Sequence, residues 1–246
     1  MNPLRSIPLS DGDPAIGVTV VGAGTGWLVV DKPSGMSIHN DPGRDLRTVI
    51  MAALGAGRLP AVGPIDVLHA VHRIDRETSG LVLLAGDAEL PAFFGRQFAD
   101  RTVRKEYLAV VHGDPAGSGH GVWSWPLTAD AGGRRDPAGR GKRLACTTRW
   151  AVREYTRHYA LIACEPLSGR THQIRRHARL AGHPVVGDRR YGSSRAVQFL
   201  DRHRNFRRLG LHAHTLTVRL PGASRETTFR SKGLPDALRA LLADDR

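Results

Sequence analysis

Short apolar runs bounded by Gly, Pro and polar residues recur along the chain. Runs of about four to eight residues that are rich in Val, Leu, Ile and Tyr are typical of strands. The pattern therefore predicts strands at residues 18–24, 26–33, 81–86, 105–113, 147–155, 158–169 and 211–222.

Apolar residues at helical spacing occur in fewer places. Leu46, Val49 and Ile50 predict a helix over residues 45–56, because positions three and four residues apart share one helix face. Further helices are predicted at residues 87–100, from near Thr171 to Gly182, and at residues 234–245. This mixture of strands and helices predicts an α+β fold. We expect an N-terminal arm over residues 1–15, followed by one strand-rich domain over residues 16–246.

The charge of the chain points to a polyanionic partner. Lys and Arg number 36 against 23 Asp and Glu, a formal net charge of +13 with the 12 histidines counted as neutral. Each phosphate that such a surface neutralises releases condensed counterions, which favours binding. A basic, solvated surface with no partner is the alternative. Arginine predominates over lysine, and its planar guanidinium binds phosphates and stacks on bases, so we favour nucleic acid.

Cys146 and Cys164 lack the spacing of metal ligands, and we interpret them as small buried residues of a reduced protein. No apolar run is long enough to span a bilayer. The first residues lack the apolar core of a signal peptide. We therefore expect a cytoplasmic protein.

Residues 72–80 form the first polar segment that could carry chemistry. Asp75 lies between Arg73 and Arg76, directly before a buried strand. The neighbouring guanidinium groups would keep the carboxylate ionised, and partial burial would oppose them. An ionised, poorly hydrated carboxylate suits nucleophilic or base chemistry. The alternative is a turn stabilised by surface ion pairs, and spacing alone does not decide between the two.

Tyr107 begins a predicted strand in basic surroundings. A tyrosine there could stack on an extruded base, an interaction of about 1–3 kcal/mol. The alternative is a tyrosine at the edge of the core whose hydroxyl bonds to backbone.

A third segment places Gly169 before the helix that begins near Thr171, and we expect Thr171 to cap that helix. A capped helix N-terminus favours anions. On this helix we expect Ile174 to pack and Arg175 to reach into a cleft. A basic, solvated helix with ordinary caps is the alternative.

Together these segments resemble the RluA-type pseudouridine synthases over roughly residues 18 to 220. HRIDRETSG, which contains Asp75, resembles the family signature HRLDRxTSG. KEYLAVVHG resembles KxYxAxVxG, and GRTHQIRRH resembles GRTHQIRxH. DKPSGMSIH resembles NKPxGxxVH, with Asp31 where asparagine is usual, and GHPVVGDRRYG is similar to GxPIxGDxxYG.

The resemblance implies a pseudouridine synthase fold, in which a long twisted, mostly antiparallel sheet is flanked by helices and holds RNA in a central cleft. It implies isomerisation of uridine to pseudouridine in ribosomal or transfer RNA, without deciding which. Asp75 would be the catalytic aspartate, Tyr107 the active-site tyrosine, and Arg175 the basic partner that forms a salt bridge with Asp75. No S4-type RNA-binding domain is expected before the core.

The reaction replaces the bond from ribose C1′ to base N1 with one from C1′ to C5, so we expect neither a cofactor nor a metal. Asp75 either attacks C1′ or removes the 2′ proton to give a glycal, and the sequence does not separate these routes. Arg73 would fill the gap left by the flipped nucleotide. We expect contacts with RNA from Arg73, Arg76, Arg104, Lys105, Lys142, Arg170, His172 and Gln173, and from the basic loop 132–143.

We expect a monomer that binds structured RNA, with neither DNA nor a membrane as partner. The leading alternative is a non-catalytic RNA-binding or ribosome-assembly protein with the same fold. The presence of Asp75, Tyr107 and Arg175 weighs against it. A metal-dependent hydrolase would need an HExxH pattern or clustered carboxylates, and the sequence has neither.

Overall fold

The structure is a computed structural model that describes residues 5–8, 17–86, 89–115 and 119–246. Its strands are β1 (Arg5–Pro8), β2 (Gly17–Gly24), β3 (Trp27–Lys32), β4 (Leu68–Ala70), β5 (Ser79–Gly86), β6 (Arg104–His112), β7 (His120–Trp123), β8 (Leu127–Thr128), β9 (Arg143–Leu144), β10 (Thr148–Tyr155), β11 (Tyr159–Pro166), β12 (Leu211–Arg219) and β13 (Glu226–Arg230). Its helices are α1 (Leu46–Gly55), α2 (Glu89–Ala99), α3 (Gln173–Leu180), α4 (Ser194–Arg204) and α5 (Asp236–Ala243).

The chain forms two compact units, and neither is continuous in sequence. The first unit comprises Met1–Arg104 and Ala213–Ser231, and the second comprises Lys105–His212 and Lys232–Arg246. The chain therefore leaves the first unit near the start of β6 and re-enters it within β12. The expectation of one domain over residues 16–246 stays a prediction, as does the N-terminal arm, in which residues 5–8 form β1.

The first unit is built on a sheet in the order β1-β2-β3-β5-β12, in which β1, β2, β3 and β5 pair antiparallel. Strand β4 pairs antiparallel with β5, and β13 with β12. Every residue of β5 is buried. Its apolar sequence without alternation is what burial on both faces requires. The core of this unit contains Trp27, Leu83, Phe94 and Phe229.

The second unit contains a sheet in the order β6-β11-β10-β7, with antiparallel pairing, and a separate β8–β9 pair. One part of its core contains Trp123, Trp150, Ile162 and Ile174. In a second part, α4 and α5 contribute residues such as Leu200 and Leu238. The predicted α+β class, with antiparallel strands and flanking helices, is confirmed.

Most predicted elements are present, and the departures have identifiable causes. The sequence pattern predicted no bounds for helix α4 or for strands β1, β4, β7, β8, β9 and β13. Leu200 is the buried residue of α4 and Phe229 that of β13, so neither segment shows a repeating apolar pattern. Ser193 caps α4 by accepting from the amide of Ala196.

The prediction that Thr171 caps α3 is wrong. The residue before the helix is His172, in a left-handed conformation with φ of 55°, and its side chain makes no capping bond. Instead the Gln173 side-chain oxygen accepts from the Ser168 hydroxyl at 2.7 Å and from the Arg170 amide at 3.1 Å. The helix entry is thus organised by a side chain of its first turn.

None of the helices in the described ranges has the length and apolar character that a membrane-crossing helix needs. Cys146 and Cys164 are both free and buried, as the sequence predicted.

Asp245 ties the C-terminal end of the second unit to the turn between β10 and β11. Its buried carboxylate accepts from the Thr156 hydroxyl at 2.6 Å, the His158 amide at 2.7 Å and His158 Nδ1 at 2.7 Å. Burial alone would raise the pKa of Asp245, but the hydrogen bonds from Thr156 and His158 outweigh it and lower that pKa. The ionised carboxylate therefore stabilises the fold.

We expect Asp245→Asn to lower the free energy of unfolding by about 1–3 kcal/mol, because it weakens hydrogen bonds to a buried charged group. A lowered pKa means that this contribution is complete above the usual pKa of an aspartate and is lost as pH falls through the folded-state value. Urea unfolding from neutral to acidic pH measures the difference. Asp244→Asn, on the exposed neighbour, is the control, and equal effects of the two variants at neutral pH would contradict the assignment.

Candidate active site

Asp75 lies in the loop between β4 and β5, in the first unit. Ile74 is buried and anchors this loop in the core, whereas Asp75 is partly exposed. The backbone oxygen of Asp75 accepts from the Thr78 amide at 3.1 Å, which closes a turn. The loop thus presents a carboxylate to solvent from a fixed backbone.

A buried lysine, Lys32, also holds the loop that carries Asp75. Lys32 is fully buried at the end of β3, and its ammonium donates to the backbone oxygens of Pro33, Met36 and Arg76 at 2.9, 2.8 and 3.2 Å. A buried charge is tolerated only when its donors are hydrogen-bonded. Lys32 therefore joins the 33–36 turn to the loop that carries Asp75.

Backbone and side-chain bonds strengthen the same junction. The Gly35 amide donates to the Arg76 oxygen at 2.8 Å, and Arg76 Nε donates to the Gly35 oxygen at 2.9 Å. The Ser34 hydroxyl donates to the Glu77 oxygen at 2.6 Å. The Arg76 guanidinium also pairs with Asp41 at 3.4 Å. Arg76 is therefore a positioning residue for the loop, and its predicted contact with RNA stays a prediction.

Gly80 is the second residue of β5, directly after the loop, and its position admits only glycine. Its φ is +113°, and an added Cβ would lie 2.2 Å from the Ala213 backbone oxygen of β12. Side chains rarely adopt that φ, and the contact leaves no room for one. The glycine of HRIDRETSG is thus required by the close approach of β5 and β12.

The second unit holds Tyr107, near the start of β6. Tyr107 is half-buried and packs against the core that contains Trp150 and Ile162. Beside it, burial lowers the pKa of Lys105. Arg104, the last residue of the first unit, is exposed and pairs with Glu226 at 2.7 Å. Contacts of Tyr107, Lys105 and Arg104 with RNA stay predictions.

Arg175 makes a buried bidentate ion pair with Asp188. Its Nε and Nη2 donate to the two carboxylate oxygens at 2.8 and 2.9 Å, and both side chains are almost inaccessible to solvent. Asp188 also accepts from the amides of Arg190 and Tyr191 at 2.9 and 3.0 Å. A fork-shaped pair of this kind fixes the guanidinium in one orientation.

The same cluster contains Tyr191 and His172. Arg175 lies over the Tyr191 ring, 5.4 Å from its centre, and His172 Nδ1 is 3.0 Å from the tyrosine oxygen. Tyr191 is fully buried, and burial raises the pKa of its hydroxyl. The His172 side chain is thus held by Tyr191.

Gln173 is buried and uses its side-chain amide within the second unit. Besides its two bonds to the 168–170 turn, it donates to the Thr147 oxygen at 2.9 Å and to the Thr148 hydroxyl at 3.0 Å. A direct contact with RNA, which the sequence predicted, would break these bonds. Arg170, in that turn, is half-buried.

The basic loop 132–143 is tightly attached to α3 through Arg176. The fully buried Arg176 guanidinium donates to the backbone oxygens of Thr128 at 3.0 Å and Ala138 at 2.6 Å, and to the Thr128 hydroxyl at 2.9 Å. Burial lowers the pKa of Arg176. Lys142 lies on the loop with its side chain exposed. The loop is therefore a docked structure that presents charge to solvent.

The predicted residues fall into two groups. Arg73, Asp75 and Arg76 share one loop of the first unit, and Tyr107 and Arg175 belong to the second unit. The predicted salt bridge between Asp75 and Arg175 stays a prediction. In the described residues, no three His, Cys, Asp or Glu side chains cluster as a metal site.

Three residues with a clear positioning role had no assigned role in the sequence interpretation: Lys32, Asp188 and Tyr191. All three lie in motifs that were recognised, DKPSGMSIH and GHPVVGDRRYG. The motifs were a sufficient signal to single them out, but burial and bonding partners become visible only in the structure.

Residues 26–180 match the protein family described as RNA pseudouridylate synthase. The chain is 35% identical over 221 residues to the ribosomal large subunit pseudouridine synthase D of Zymomonas mobilis, covering 87% of this chain and 68% of that protein. It is 35% identical over 219 residues to the ribosomal large subunit pseudouridine synthase C of Haemophilus ducreyi, covering 88% of this chain and 65% of that protein. The chain thus spans about two-thirds of the length of these relatives.

Solved structures share the fold. The human RNA pseudouridylate synthase domain containing 1 superposes with a TM-score of 0.73 over 94% of this chain and 90% of that chain, at 24% identity. The human RNA pseudouridylate synthase domain containing 4 superposes with a TM-score of 0.69 over 91% of both chains, at 25% identity. The pseudouridine synthase fold expected from the motifs is confirmed.

Replacing Asp188 should destabilise the second unit strongly. Asp188→Asn leaves the buried Arg175 without this carboxylate, and breaking a buried pair costs about 3–5 kcal/mol in the free energy of unfolding. Urea unfolding at neutral pH measures the change. Asp201→Asn is the matched control, because Asp201 pairs with Arg207 at 2.6 Å on the exposed surface. That control should change stability by less than about 1 kcal/mol, and an equally small effect at Asp188 would show that its pair with Arg175 contributes little.

Proposed function

Because the chain belongs to the RNA pseudouridylate synthase family, whose members are RNA-modifying isomerases, we propose that it isomerises uridine to pseudouridine in large-subunit ribosomal RNA. The Asp75 loop is the observation that carries this proposal. It presents a partly exposed carboxylate on a backbone that Lys32 and Gly35 hold. The substrate follows from the two relatives, which are named for the large ribosomal subunit.

The proposed reaction begins when the target uridine leaves its stack, which costs a few kcal/mol. Arg73, exposed and two residues from Asp75, would occupy the space that the base vacates. Tyr107 would stack on the extruded uracil. These contacts offset the cost of flipping.

Asp75 then acts on the ribose by one of two routes. In the first route, a carboxylate oxygen of Asp75 bonds to C1′ while the C1′–N1 bond breaks. The electron pair of the C1′–N1 bond leaves with the uracil. In the second, Asp75 removes the 2′ proton and the uracil leaves to give a glycal. In the first route the base turns and C5 bonds to C1′ as the bond from C1′ to the Asp75 oxygen breaks, which frees the carboxylate. In the second route the base turns, C5 bonds to C1′ of the glycal, and Asp75 returns the proton to C2′. In both routes the proton lost from C5 is matched by one gained at N1. Atoms and electrons balance without an added reactant.

The second unit would provide the electrostatic partner. Arg175 is held in one orientation by Asp188, and the Tyr191 ring lies against it. In the proposed enzyme, this guanidinium pairs with Asp75 and keeps it ionised. Asp188 and Tyr191 act through Arg175 as positioning residues.

Asp75→Asn is expected to lower the rate of pseudouridine formation by several orders of magnitude, since the amide can neither attack nor take a proton. Binding of RNA should be retained. The measurement is mapping of carbodiimide adducts that survive alkali on unmodified large-subunit ribosomal RNA, without added metal.

Asp66→Asn is the matched control, because Asp66 is exposed in the same unit outside the loop. It should leave the rate unchanged. Full activity of purified Asp75→Asn would end the assignment. Binding of RNA by the unmutated chain without new adducts would favour the non-catalytic RNA-binding protein, and strand scission would favour a nuclease.

Tyr107→Phe should be milder than Tyr107→Ala in the same assay. Phenylalanine keeps the ring, whose stacking is worth about 1–3 kcal/mol, and loses only the hydroxyl. Because Tyr107 also packs against the core, urea unfolding of both variants separates lost stability from lost catalysis. If the two variants are equally stable and react at equal rates, Tyr107 is not part of the active site.

A further inference from the structure

A basic cavity lies beside the Asp75 loop, wholly within the first unit. Its volume is about 330 Å³, roughly ten times the volume that one water occupies in the liquid. Its polar lining consists of His39, Arg47, His69, His72 and Arg73. None of the described residues that line it carries a carboxylate.

Backbone bonds hold one wall of this cavity. The amide of Arg47 donates to the Ile38 oxygen at 3.2 Å, which fixes the first turn of α1 against the residue that precedes His39. Asp45 caps the same helix by accepting from the Thr48 amide at 2.9 Å. Arg47 and His39 therefore start from backbone positions that cannot shift independently.

Strand β5 holds the opposite wall. His69 lies in β4, in register with Ala85 of β5. His72 Nε2 accepts from the Leu83 amide at 3.1 Å, and its ring stacks on Phe98. Since Nε2 acts as an acceptor, the histidine is neutral with its proton on Nδ1. Arg73 follows directly, so its backbone is set by β5 as well.

Besides Arg73, three donor side chains of the lining are available for a ligand. Arg47, Arg73, His39 and His69 make no side-chain hydrogen bond or ion pair with any residue in the described ranges. Nearby carboxylates are engaged elsewhere, Asp41 with Arg76 and Asp45 with Thr48. With Arg73 assigned to the gap left by the flipped base, the Arg47 guanidinium and two imidazoles remain for a ligand, and none of the described lining residues carries a compensating carboxylate.

We propose that this cavity binds a backbone phosphate of the substrate RNA next to the nucleotide that reaches Asp75. The inference rests on the proposed function and adds a specific subsite to it. Guanidinium groups bind phosphate oxygens in a bidentate manner, and imidazole N–H groups add single donors. Residues 73 and 75 are separated by at most about 7 Å of backbone, so a phosphate in the cavity belongs to the target nucleotide or its neighbour.

Arg47 tests the subsite, because it lies on α1, away from the reacting atoms. In an Asp75→Asn background, which stops turnover, Arg47→Gln should weaken binding of transcribed large-subunit ribosomal RNA several-fold. The slope of log affinity against log salt concentration should fall in magnitude by about one, as expected for one lost phosphate contact. Arg47→Lys, which keeps the charge, should restore most of the slope.

Arg44→Gln is the matched control. Arg44 is exposed three residues away, carries the same charge and does not line the cavity. Unchanged affinity and slope for Arg44→Gln, beside the loss for Arg47→Gln, support the subsite. Equal losses would show a diffuse basic field, and no loss at Arg47 would show that the cavity does not bind RNA. Either result overturns the proposal.

Turnover distinguishes this inference from the proposed function. With Asp75 intact, Arg47→Gln should raise KM for RNA and leave kcat nearly unchanged, because the contact serves binding more than chemistry. If the unmutated chain forms no pseudouridine but the salt slope depends on Arg47, the synthase proposal fails and the phosphate subsite stands. If pseudouridine forms and Arg47→Gln behaves as Arg44→Gln, only the subsite fails.

Discussion

The ammonium of Lys32 is the interaction on which the architecture around Asp75 depends. It is buried at the end of β3 and donates to the backbone oxygens of Met36 and Arg76, which lie in two loops and are 40 residues apart in the sequence. Removing a charge from water is costly, and carbonyl oxygens in fixed positions compensate only if both loops keep their geometry. The lysine thus makes the conformation of each loop conditional on that of the other.

The second unit also contains buried cations, and there they are arginine guanidinium groups. Arg175 and Arg176 are adjacent, both buried, and bonded in opposite ways. Arg175 is neutralised by the carboxylate of Asp188, whereas the bonds of Arg176 described above go to neutral oxygens. The first arrangement presents one oriented cation, and the second attaches the basic loop to α3. Two adjacent residues of the short helix α3 therefore have separate roles: Arg175 provides an oriented positive charge, and Arg176 anchors the basic loop.

Much of the fold could be predicted from the sequence, because an apolar run such as that of β5 indicates a buried strand. Asp75 was found because its position before that strand and its motif agreed. Helix α4 was missed because most of it faces solvent. The roles of Lys32 and Asp188 could not be predicted, because a motif does not show whether its lysine or aspartate is buried or which groups that side chain bonds to. The predicted cap of α3 was wrong because His172, not Thr171, precedes the helix, and the Gln173 side chain bonds to the 168–170 turn.

Each unit is assembled from two separated stretches of chain, and this has a consequence for how the protein is made. Strand β5, which directly follows the Asp75 loop, has β12 as a neighbour, and β12 lies some 130 residues later. On the ribosome, domains tend to fold as they emerge, but here β5 lacks one of its neighbouring strands until β12 has been synthesised. A nascent chain stalled before β12 would therefore expose part of the β5 edge, which is prone to pairing with other chains.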